Sequence, residues 1–405
     1  MDEFFRAAGW ALLVVSLIGA VYTFASGLAL SWFLKRNAPT AASFPAITIL
    51  KPLHGDEPGL RQALDGFCTQ DYPGPVQIIF GVRDPLDPAI SAVRSLMHDH
   101  PDMDIELVID SRVWGSNLKI SNLINMEQKV RHPLLVLADS DVSVSPDYLR
   151  QLAGALANPR IGYVTCAYVG VATGNLWSRL SAMAINHHFL PSVALGLRLK
   201  MADACFGPTV AFQREVFDRS GGFARLKDLL ADDFEIGRAI RALGLDFAVT
   251  PMLIGHGCSE GTPRSLIKHE LRWARTIRLV APLSYAGTVV CHPLPFVLLG
   301  ALFTQGAAEC WPVLLLVLMS RLFVMAEVSR LTRADFGAWW MWPVREFLSA
   351  AVFVGAFTGA TVEWRGRPFT LSKGGALVPQ TTRRSPTPVL LSDPFADVAS
   401  DAPRA

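Results

Sequence analysis

The sequence lacks the features of a nucleic-acid-binding protein and of a disulfide-rich or zinc-binding protein. Its formal net charge is only +2 over 405 residues, and no stretch concentrates lysine and arginine. Neutralising nucleic-acid phosphates requires a concentrated basic face, so we expect no nucleic-acid partner. We expect the polar partner of this protein to be a small molecule. The six cysteines are scattered and none belongs to a C-x-x-C pair. This spacing disfavours a zinc site or a disulfide framework and favours a reducing, cytosolic environment.

Apolar residues, by contrast, are more abundant than a soluble domain needs. They make up 51% of the chain, and the mean hydropathy is +0.32. A long uncharged apolar run ends just before Lys35 and Arg36, which predicts a transmembrane anchor over residues 1–36. A signal peptide is disfavoured because Asp2 and Glu3 precede the run and no small-residue cleavage site follows it. The positive-inside rule places the N-terminus outside the cytoplasm and the following domain inside.

Residues 45–280 have the pattern of an α/β domain, because short β-rich runs alternate with helical segments. The runs are residues 47–50, 76–82, 105–109, 134–137 and 162–167. This alternation predicts a mostly parallel sheet that is covered by helices on both faces. Ligands of such sheets bind beyond the carboxyl ends of the strands, so the residues that follow each run are candidate site residues.

Three further apolar stretches predict membrane segments within residues 283–362. They cover about residues 285–303, 311–326 and 339–360. Arg321 and the pair Arg345-Glu346 fall in or near these segments. Charges inside a membrane are costly, so these side chains should pair or face a polar cavity, unless they mark interfacial ends by snorkelling.

The topology of this C-terminal region is left open by the sequence. Three crossings after a cytosolic domain would place residues 364–367, which contain two arginines, outside the cell. That result opposes the positive-inside rule, unless one segment is re-entrant or lies flat. Residues 374–405 are rich in Pro, Ser, Asp and Arg, which predicts a disordered tail.

Two acidic clusters follow predicted strands. Asp84 and Asp87 lie in a proline-rich loop after the second run, where they could hold a base or a ribose or simply shape a turn. Asp139 and Asp141 form a D-x-D at the end of the fourth run. Two carboxylates at this position could bind Mg²⁺, with the oxygens of a diphosphate supplying further ligands. The alternative is that both acids simply lie exposed in a turn.

Two more groups of charged residues follow later in the chain. Asp232 and Asp233 begin a predicted helix, where capping and the helix dipole favour carboxylates, and this cluster is the best placed to contain a catalytic base. Arg272, Arg275 and Arg278 then repeat at three-residue spacing beside Trp273. Such a cationic stripe could neutralise a diphosphate leaving group or dock on anionic lipid headgroups.

Taken in order, these motifs resemble those of inverting family 2-type glycosyltransferases. The strongest resemblance is to the ceramide glucosyltransferase family, glycosyltransferase family 21, which includes bacterial enzymes associated with hopanoid biosynthesis. Leu50-Lys51-Pro52-Leu53-His54-Gly55 is similar to the family's K-P-L-x-G opening, and residues 115–123 are similar to its G-x-N-x-K-x-x-N-L segment. His269 departs from the Gln or Arg usual at that position, and Asp141 replaces the Gly of animal enzymes, which points to a bacterial subgroup.

The resemblance implies a GT-A type nucleotide-sugar-binding mixed sheet with transmembrane helices at both ends. It implies transfer, with inversion, of glucose or N-acetylglucosamine from a UDP-sugar to a hydroxyl of a membrane lipid of ceramide or hopanoid type. A multi-pass protein of the bacterial inner membrane follows, with its catalytic domain in the cytoplasm. The resemblance also implies a role for each candidate residue. Asp84 and Asp87 would bind the nucleoside, Lys119 would bind the donor, and Asp139 and Asp141 would bind a divalent cation (Mg²⁺ or Mn²⁺). Asp233 would be the catalytic base, Arg272 and Trp273 would bind the leaving group, and Asp232, His269 and Arg275 would have secondary roles.

Two other functions are compatible with parts of the pattern. A processive polysaccharide synthase shares the same motifs, but four membrane segments, two of them carrying charges near their middle, make a poor channel for a polymer. A catalytically silent membrane scaffold or transporter with a transferase-like fold is the alternative from another class. The complete set of carboxylates disfavours it.

Overall fold

A computed structural model describes residues 2–41, 43–203, 205–333, 340–364, 367–372 and 376–379. The chain begins with helix α1 (Asp2–Leu34) and continues into a domain built on one eight-stranded sheet. Its strands are β1 (Ile47–Pro52), β2 (Val76–Val82), β3 (Asp104–Ile109), β4 (Leu134–Ala138), β5 (Val142–Ser143), β6 (Ile161–Ala172), β7 (Thr209–Gln213) and β8 (Asp246–Cys258). Its helices are α2 (Leu60–Cys68), α3 (Ala89–Asp99), α4 (Leu118–Glu127), α5 (Tyr148–Leu156), α6 (Leu176–Ala184), α7 (Leu190–Arg198), α8 (Arg214–Arg219) and α9 (Asp232–Arg241), with a π-helical turn (Ile185–Phe189) between α6 and α7.

The sheet is mixed, with the strand order β3-β2-β1-β4-β7-β6-β8-β5. Strands β3, β2, β1 and β4 are parallel, β7 is antiparallel to both of its neighbours, and β5 is antiparallel to β8. Separate apolar clusters pack on the two faces. The predicted α/β domain with a mixed sheet is therefore confirmed. The reversed direction of β7 brings the residues just before it to the edge where β4 ends, since Asp139 N donates to Pro208 O at 3.1 Å.

A second group of helices follows the sheet. It consists of α10 (Pro263–Val280), α11 (Pro282–Gly287), α12 (Pro293–Phe303), α13 (Cys310–Thr332) and α14 (Met341–Gly355). Among the described residues, α1 and α13 are long and apolar enough to cross a membrane, and the segments on either side of His292 pass the same test together although they are bent by 68°. Helix α14 has only 15 residues, which is short for a span.

Close contacts at glycines show how these helices run alongside α1. A Cβ built on Gly9 would lie 2.7 Å from Thr304, and one built on Gly27 would lie 2.8 Å from Phe323. Small residues at such contacts let membrane helices approach closely. Helix α12 therefore ends beside the start of α1, and α13 returns toward the end of α1 and the α/β domain.

A three-stranded antiparallel sheet closes the described part of the chain and was not predicted. Its strands are β9 (Thr361–Trp364), β10 (Arg367–Leu371) and β11 (Leu377–Pro379). Val362, Phe369 and Leu377 pack against Leu230 of the α/β domain. Ordered structure thus extends past residue 374, where the tail was predicted to start, while residues 380–405 lie outside the described residues.

The position of this small sheet bears on the open topology. Leu377 N donates to Asp228 O at 2.8 Å, so the described chain returns to the α/β domain after α14. Helix α13 and the bent pair α11–α12 pass the length and composition test for a membrane span, whereas α14 is not among the described helices that do. The re-entrant or flat alternative for the segment predicted at 339–360, of which residue 339 lies outside the described part, stays a prediction.

The charges predicted to be buried near the membrane are paired. Arg321 Nε lies 3.0 Å from Glu346 Oε1, and Arg345 Nη1 lies 2.5 Å from Glu270 Oε1. The side chains of Arg321, Arg345 and Glu346 are all buried. Pairing, and not snorkelling to the interface, therefore accommodates these charges.

Candidate active site

The segment of residues 115–119 fixes a lysine at the carboxyl edge of the sheet. Asn117 Oδ1 caps α4 by accepting from the amides of Lys119 and Ile120 at 3.0 and 3.1 Å, and its Nδ2 donates to Leu229 O at 2.7 Å. A Cβ on Gly115 would lie 2.5 Å from Lys227 O, so only glycine allows this close approach. The segment is thereby locked to the loop that precedes α9.

Lys119 joins the acids of two separate motifs. Its Nζ lies 2.8 Å from Asp139 Oδ1, at the end of β4, and 3.1 Å from Asp232 Oδ2, at the start of α9. Burial alone would lower the pKa of Lys119, but the charges of Asp139 and Asp232 outweigh burial and raise it. The ammonium group is therefore a permanent positive charge inside an acidic cluster.

Asp233 stands beside this cluster without a cationic hydrogen-bond partner among the residues described. Its Oδ1 accepts from the amide of Phe234 at 2.8 Å, and its Oδ2 would lie 3.0 Å from a Cβ on Gly207. Burial, followed by the charge of Asp232, raises the pKa of Asp233 to about 6. Such a carboxylate is ionised at neutral pH and can still accept a proton readily.

Asp139 and Asp141 have the donor chemistry of a divalent-cation site. Asp141 Oδ2 lies 3.4 Å from His256 Nδ1, while its Oδ1 is buried and accepts no hydrogen bond from the described part of the chain. Within that same part, no three His, Cys, Asp or Glu side chains converge as a metal site. Mg²⁺ commonly takes one or two carboxylates and completes its shell with substrate phosphates and water, so two carboxylates fit this group.

Two residues that the sequence did not single out support the D-x-D turn. Lys51 is fully buried in β1, donates to Asp139 O at 2.7 Å and lies 3.7 Å from the centre of the Phe67 ring. Burial lowers the pKa of Lys51 to about 7, although nearby carboxylates oppose the shift. Glu57 Oε1 accepts from Ser140 Oγ at 2.9 Å, and burial together with Asp141 raises the pKa of Glu57 to about 7.

Trp273 closes one side of the site against two histidines. Its ring centre lies 4.6 Å from that of His269 and 5.9 Å from that of His256. His269 Nδ1 pairs with the buried carboxylate of Glu260. His269 therefore contacts both Trp273 and Glu260.

The predicted arginine stripe divides into two parts. Burial lowers the pKa of Arg272, and the charges of Asp139, Asp232 and Asp233 oppose the shift, so Arg272 lies within electrostatic range of the acidic cluster. Arg275 Nη1 donates to Thr361 O at 2.6 Å, and Arg278 Nη2 donates to Gly359 O at 3.0 Å. Arg275 and Arg278 thus hold the C-terminal segment, and Arg272 is the member of the stripe that lies at the cluster.

A cleft of about 410 Å³ opens beside the ends of β1 and β2, and its lining includes Asp84, Arg83 and His54. Asp84 is exposed to the cleft. Asp87 is buried, and its carboxylate accepts from the amides of Gly55 and Ala89, both at 2.9 Å. Of the two aspartates predicted to hold a nucleoside, Asp84 is thus open to a ligand, whereas Asp87 shapes the wall of the cleft.

Comparison with known proteins matches nearly the whole chain. The sequence profile described as glycosyl transferase family 21 covers residues 10–377. Ceramide glucosyltransferase 1 of Caenorhabditis elegans is 22% identical over 86% of this chain and 77% of its own, and ceramide glucosyltransferase 3 of the same organism is 23% identical over 90% and 83%. Among solved structures, the mannosyltransferase PcManGT of Pyrobaculum calidifontis, in complex with GDP-Man and Mn²⁺, aligns over 87% of this chain and 99% of its own, with 21% identity and a TM-score of 0.48.

Proposed function

The chain belongs to glycosyl transferase family 21 and is a glycosyltransferase, and on this premise we propose that it transfers a hexose from a UDP-sugar to a membrane lipid hydroxyl with inversion. The observation that carries the proposal is the meeting of three motifs at Lys119, which contacts Asp139 and Asp232, with Asp233 next to Asp232. A permanent cation, a pair of candidate metal ligands and a basic carboxylate lie together at one sheet edge. These are the groups that nucleotide-sugar chemistry requires.

The donor nucleoside occupies the cleft beside Asp84. The cleft has a volume of about 410 Å³, which is within the range of small-molecule pockets. The exposed carboxylate of Asp84 can accept hydrogen bonds from the base or the ribose. The diphosphate then extends toward Asp139, where Lys119 offsets its charge, and Arg272 meets the further charge that develops on it as it departs.

The reaction is a single displacement at the anomeric carbon. Asp233 accepts the proton of the lipid hydroxyl as the hydroxyl oxygen forms its bond to the anomeric carbon. The bond between that carbon and the diphosphate oxygen breaks on the opposite face, so the configuration inverts. Arg272 donates to the departing diphosphate, and Trp273 shields this side of the site from water.

Asp139 and Asp141 would hold a divalent cation, Mg²⁺ or Mn²⁺. When bound, this ion supplies positive charge that stabilises the departing diphosphate. The unpartnered Oδ1 of Asp141 supports the assignment. Lys51 and Glu57 hold the turn that carries both ligands.

The acceptor is a lipid of the cytoplasmic face of the bacterial inner membrane, of ceramide or hopanoid type, and the sugar is glucose or N-acetylglucosamine. Two relatives are named ceramide glucosyltransferases, which supports a sphingolipid hydroxyl. Asp141 supports a bacterial acceptor through the resemblance to the bacterial subgroup. With α1 and α13 as membrane anchors, a lipid can reach the site from the bilayer.

The proposal is tested by incubating membranes that contain the protein with labelled UDP-glucose and UDP-N-acetylglucosamine in parallel. We expect one hexose on a lipid, identified by mass, from one of the two donors.

Asp233→Asn should insert normally and lower kcat by about 10²- to 10⁴-fold, the usual contribution of a general base. Asp246→Asn is the matched control, because Asp246 is an exposed carboxylate at the start of β8. A polymeric product, or full turnover in Asp233→Asn, would contradict the proposal.

The metal assignment has its own test. Activity should fall to background in EDTA and return with added Mn²⁺. Asp141→Asn should raise the Mn²⁺ concentration needed for half-maximal rate by at least about 10-fold, since it removes a ligand. Asp218 is an exposed carboxylate, and Asp218→Asn should leave the Mn²⁺ concentration needed for half-maximal rate unchanged. Undiminished activity in EDTA would refute the assignment.

A further inference from the structure

We propose that α14 positions the catalytic helix α10 through the buried ion pair between Arg345 and Glu270, and that this pair holds Arg272 and Trp273 at the acidic cluster. The inference rests on the proposed role of Arg272 in binding the leaving group. Arg345 touches no substrate in this scheme and acts through α10. It is therefore a positioning residue.

The pair has the geometry of a fixed clamp. Arg345 Nη1 lies 2.5 Å from Glu270 Oε1, and Nη2 lies 2.7 Å from Oε2, so the contact is bidentate. The side chains of Arg345 and Glu270 are 2% and 13% exposed. Arg345 also donates to Leu180 O at 3.2 Å and to Ser349 Oγ at 3.0 Å. A planar guanidinium that is hydrogen-bonded in this way fixes both the direction and the length of its contact with the carboxylate.

The next residue of α14 ties the clamp to the membrane helices. Glu346 Oε1 lies 3.0 Å from Arg321 Nε, on α13, and 3.0 Å from His188 Nε2, in the π-helical turn. Arg321 Nη1 donates in turn to His187 O at 3.0 Å. Adjacent residues of one short helix thus connect α10 on one side with α13 and the π-helical turn on the other.

The position of Glu270 on α10 explains why this connection matters for the site. Glu270 precedes Arg272 by two residues and Trp273 by three, which is less than one helical turn. Holding Glu270 sets the rotation of the helix about its own axis, and therefore the direction in which Arg272 points. The bonds of Arg275 and Arg278 to residues 359–361 hold α10 further along.

Stability alone does not account for the pair. Buried ion pairs are often replaced by apolar residues of similar volume without loss of stability, whereas removal of one partner is strongly destabilising. The presence of a bidentate pair in such a costly place therefore points to orientation. This contrast also gives the experiment its design, because fold and orientation can be separated.

The test uses the full-length protein in lipid nanodiscs. Arg345→Lys keeps the charge but loses the bidentate contact to Glu270. We expect kcat to fall about 10-fold and the KM for the UDP-sugar to stay within about twofold. The effect falls on kcat because Arg272 acts on charge that develops in the transition state. Arg345→Met should lose thermal stability. The double variant Glu270→Gln with Arg345→Met should regain stability, and its kcat should remain low.

The matched control is a pair on α13 in which Arg330 lies 2.6 Å from Glu327 and is itself 55% exposed, in contrast to the buried Arg345. Glu327→Gln with Arg330→Met should leave kcat and thermal stability near the wild-type values. If the Glu270/Arg345 double variant regains kcat together with stability, or if Arg345→Lys has wild-type kcat, the pair only compensates for burial and the inference is wrong.

A measurement that does not depend on turnover separates this inference from the proposed function. Spin labels at Ile267, exposed on α10, and at Asp246, exposed on β8, report the placement of the catalytic helix on the sheet. The distance distribution should broaden in Arg345→Lys and stay narrow in the α13 control. Unchanged distances in Arg345→Lys would overturn the positioning role, whereas a wild-type protein that transfers no hexose would overturn the proposed function alone.

Discussion

At the scale of single residues, neighbouring carboxylates of the site have different surroundings. Asp232 lies 3.1 Å from the ammonium group of Lys119, so its charge is balanced. Asp233, the next residue, accepts from the amide of Phe234, and burial raises its pKa. Two adjacent acids with different partners can take separate roles, one structural and one as the base.

This difference predicts the pH dependence of transfer. Below a pKa of about 6 Asp233 carries a proton and cannot accept another, so kcat/KM should fall about 10-fold per pH unit below pH 6 and level off above it. The measurement is kcat/KM between pH 5 and 8 with donor and acceptor held fixed. The residual activity of Asp233→Asn should lack this limb. A profile that is flat over the whole range in the wild-type protein would exclude Asp233 as the base.

The site residues that could be predicted from the sequence are those that follow a strand or begin a helix. Asp139, Asp141 and Asp233 belong to this group, because a strand end or a helix start is visible locally. Lys51 and Glu57 could not be found in this way. They meet Asp139 and Ser140 across 88 and 83 residues of chain, and only the pairing of β1 with β4 brings them together.

At the scale of elements, the C-terminal sheet is the largest addition to what the sequence predicted. Its strands are three to five residues long, and such short runs carry little periodicity. Strands β1 to β4, in contrast, were predicted to within two residues at each end. Their apolar runs are buried and bounded by loop residues, which is a stronger signal.

The small sheet should stabilise the loop that leads to the catalytic acids. Leu377 is 4% exposed and packs on Leu230, two residues before Asp232, whereas the next residue, Val378, is 49% exposed. We expect Leu377→Ala to lower the free energy of unfolding by about 2 kcal/mol and to reduce transfer. Val378→Ala should change stability by less than about 0.5 kcal/mol.

Both quantities can be followed by thermal unfolding in detergent and by transfer at saturating donor. The comparison is well controlled because the two positions are adjacent and differ mainly in burial. Equal effects of the two substitutions would mean that the sheet does not support this loop.

At the scale of the whole molecule, we propose a membrane topology with the catalytic domain inside. In this topology the turn between α12 and α13 faces outside and β11 faces inside. We expect Glu309→Cys to react with a membrane-impermeant maleimide in intact cells, and Val378→Cys to react only after permeabilisation. Both positions are exposed in the structure.

The unsubstituted protein is the control for this experiment, since it contains six cysteines, of which five are buried. Labelling of Val378→Cys in intact cells would require an odd number of crossings after α10. The sequence alone could not decide the topology, because α14 resembles a span in composition. The pairing of Arg345 and Glu346 with protein partners is visible only in the structure, and it supports the proposed position of α14 on the domain side.

The attachment of α1 has a consequence for acceptor choice. Its 33 residues form a helix of about 50 Å, longer than the hydrocarbon core of about 30 Å. Leu30 and Phe33, near its C-terminal end, pack against Ala167, Leu190 and Val249 of the α/β domain. We expect this attachment to fix the height of Asp233 relative to the bilayer. The distance of a lipid hydroxyl from the membrane plane would then decide which lipids are accepted, without any contact to the headgroup.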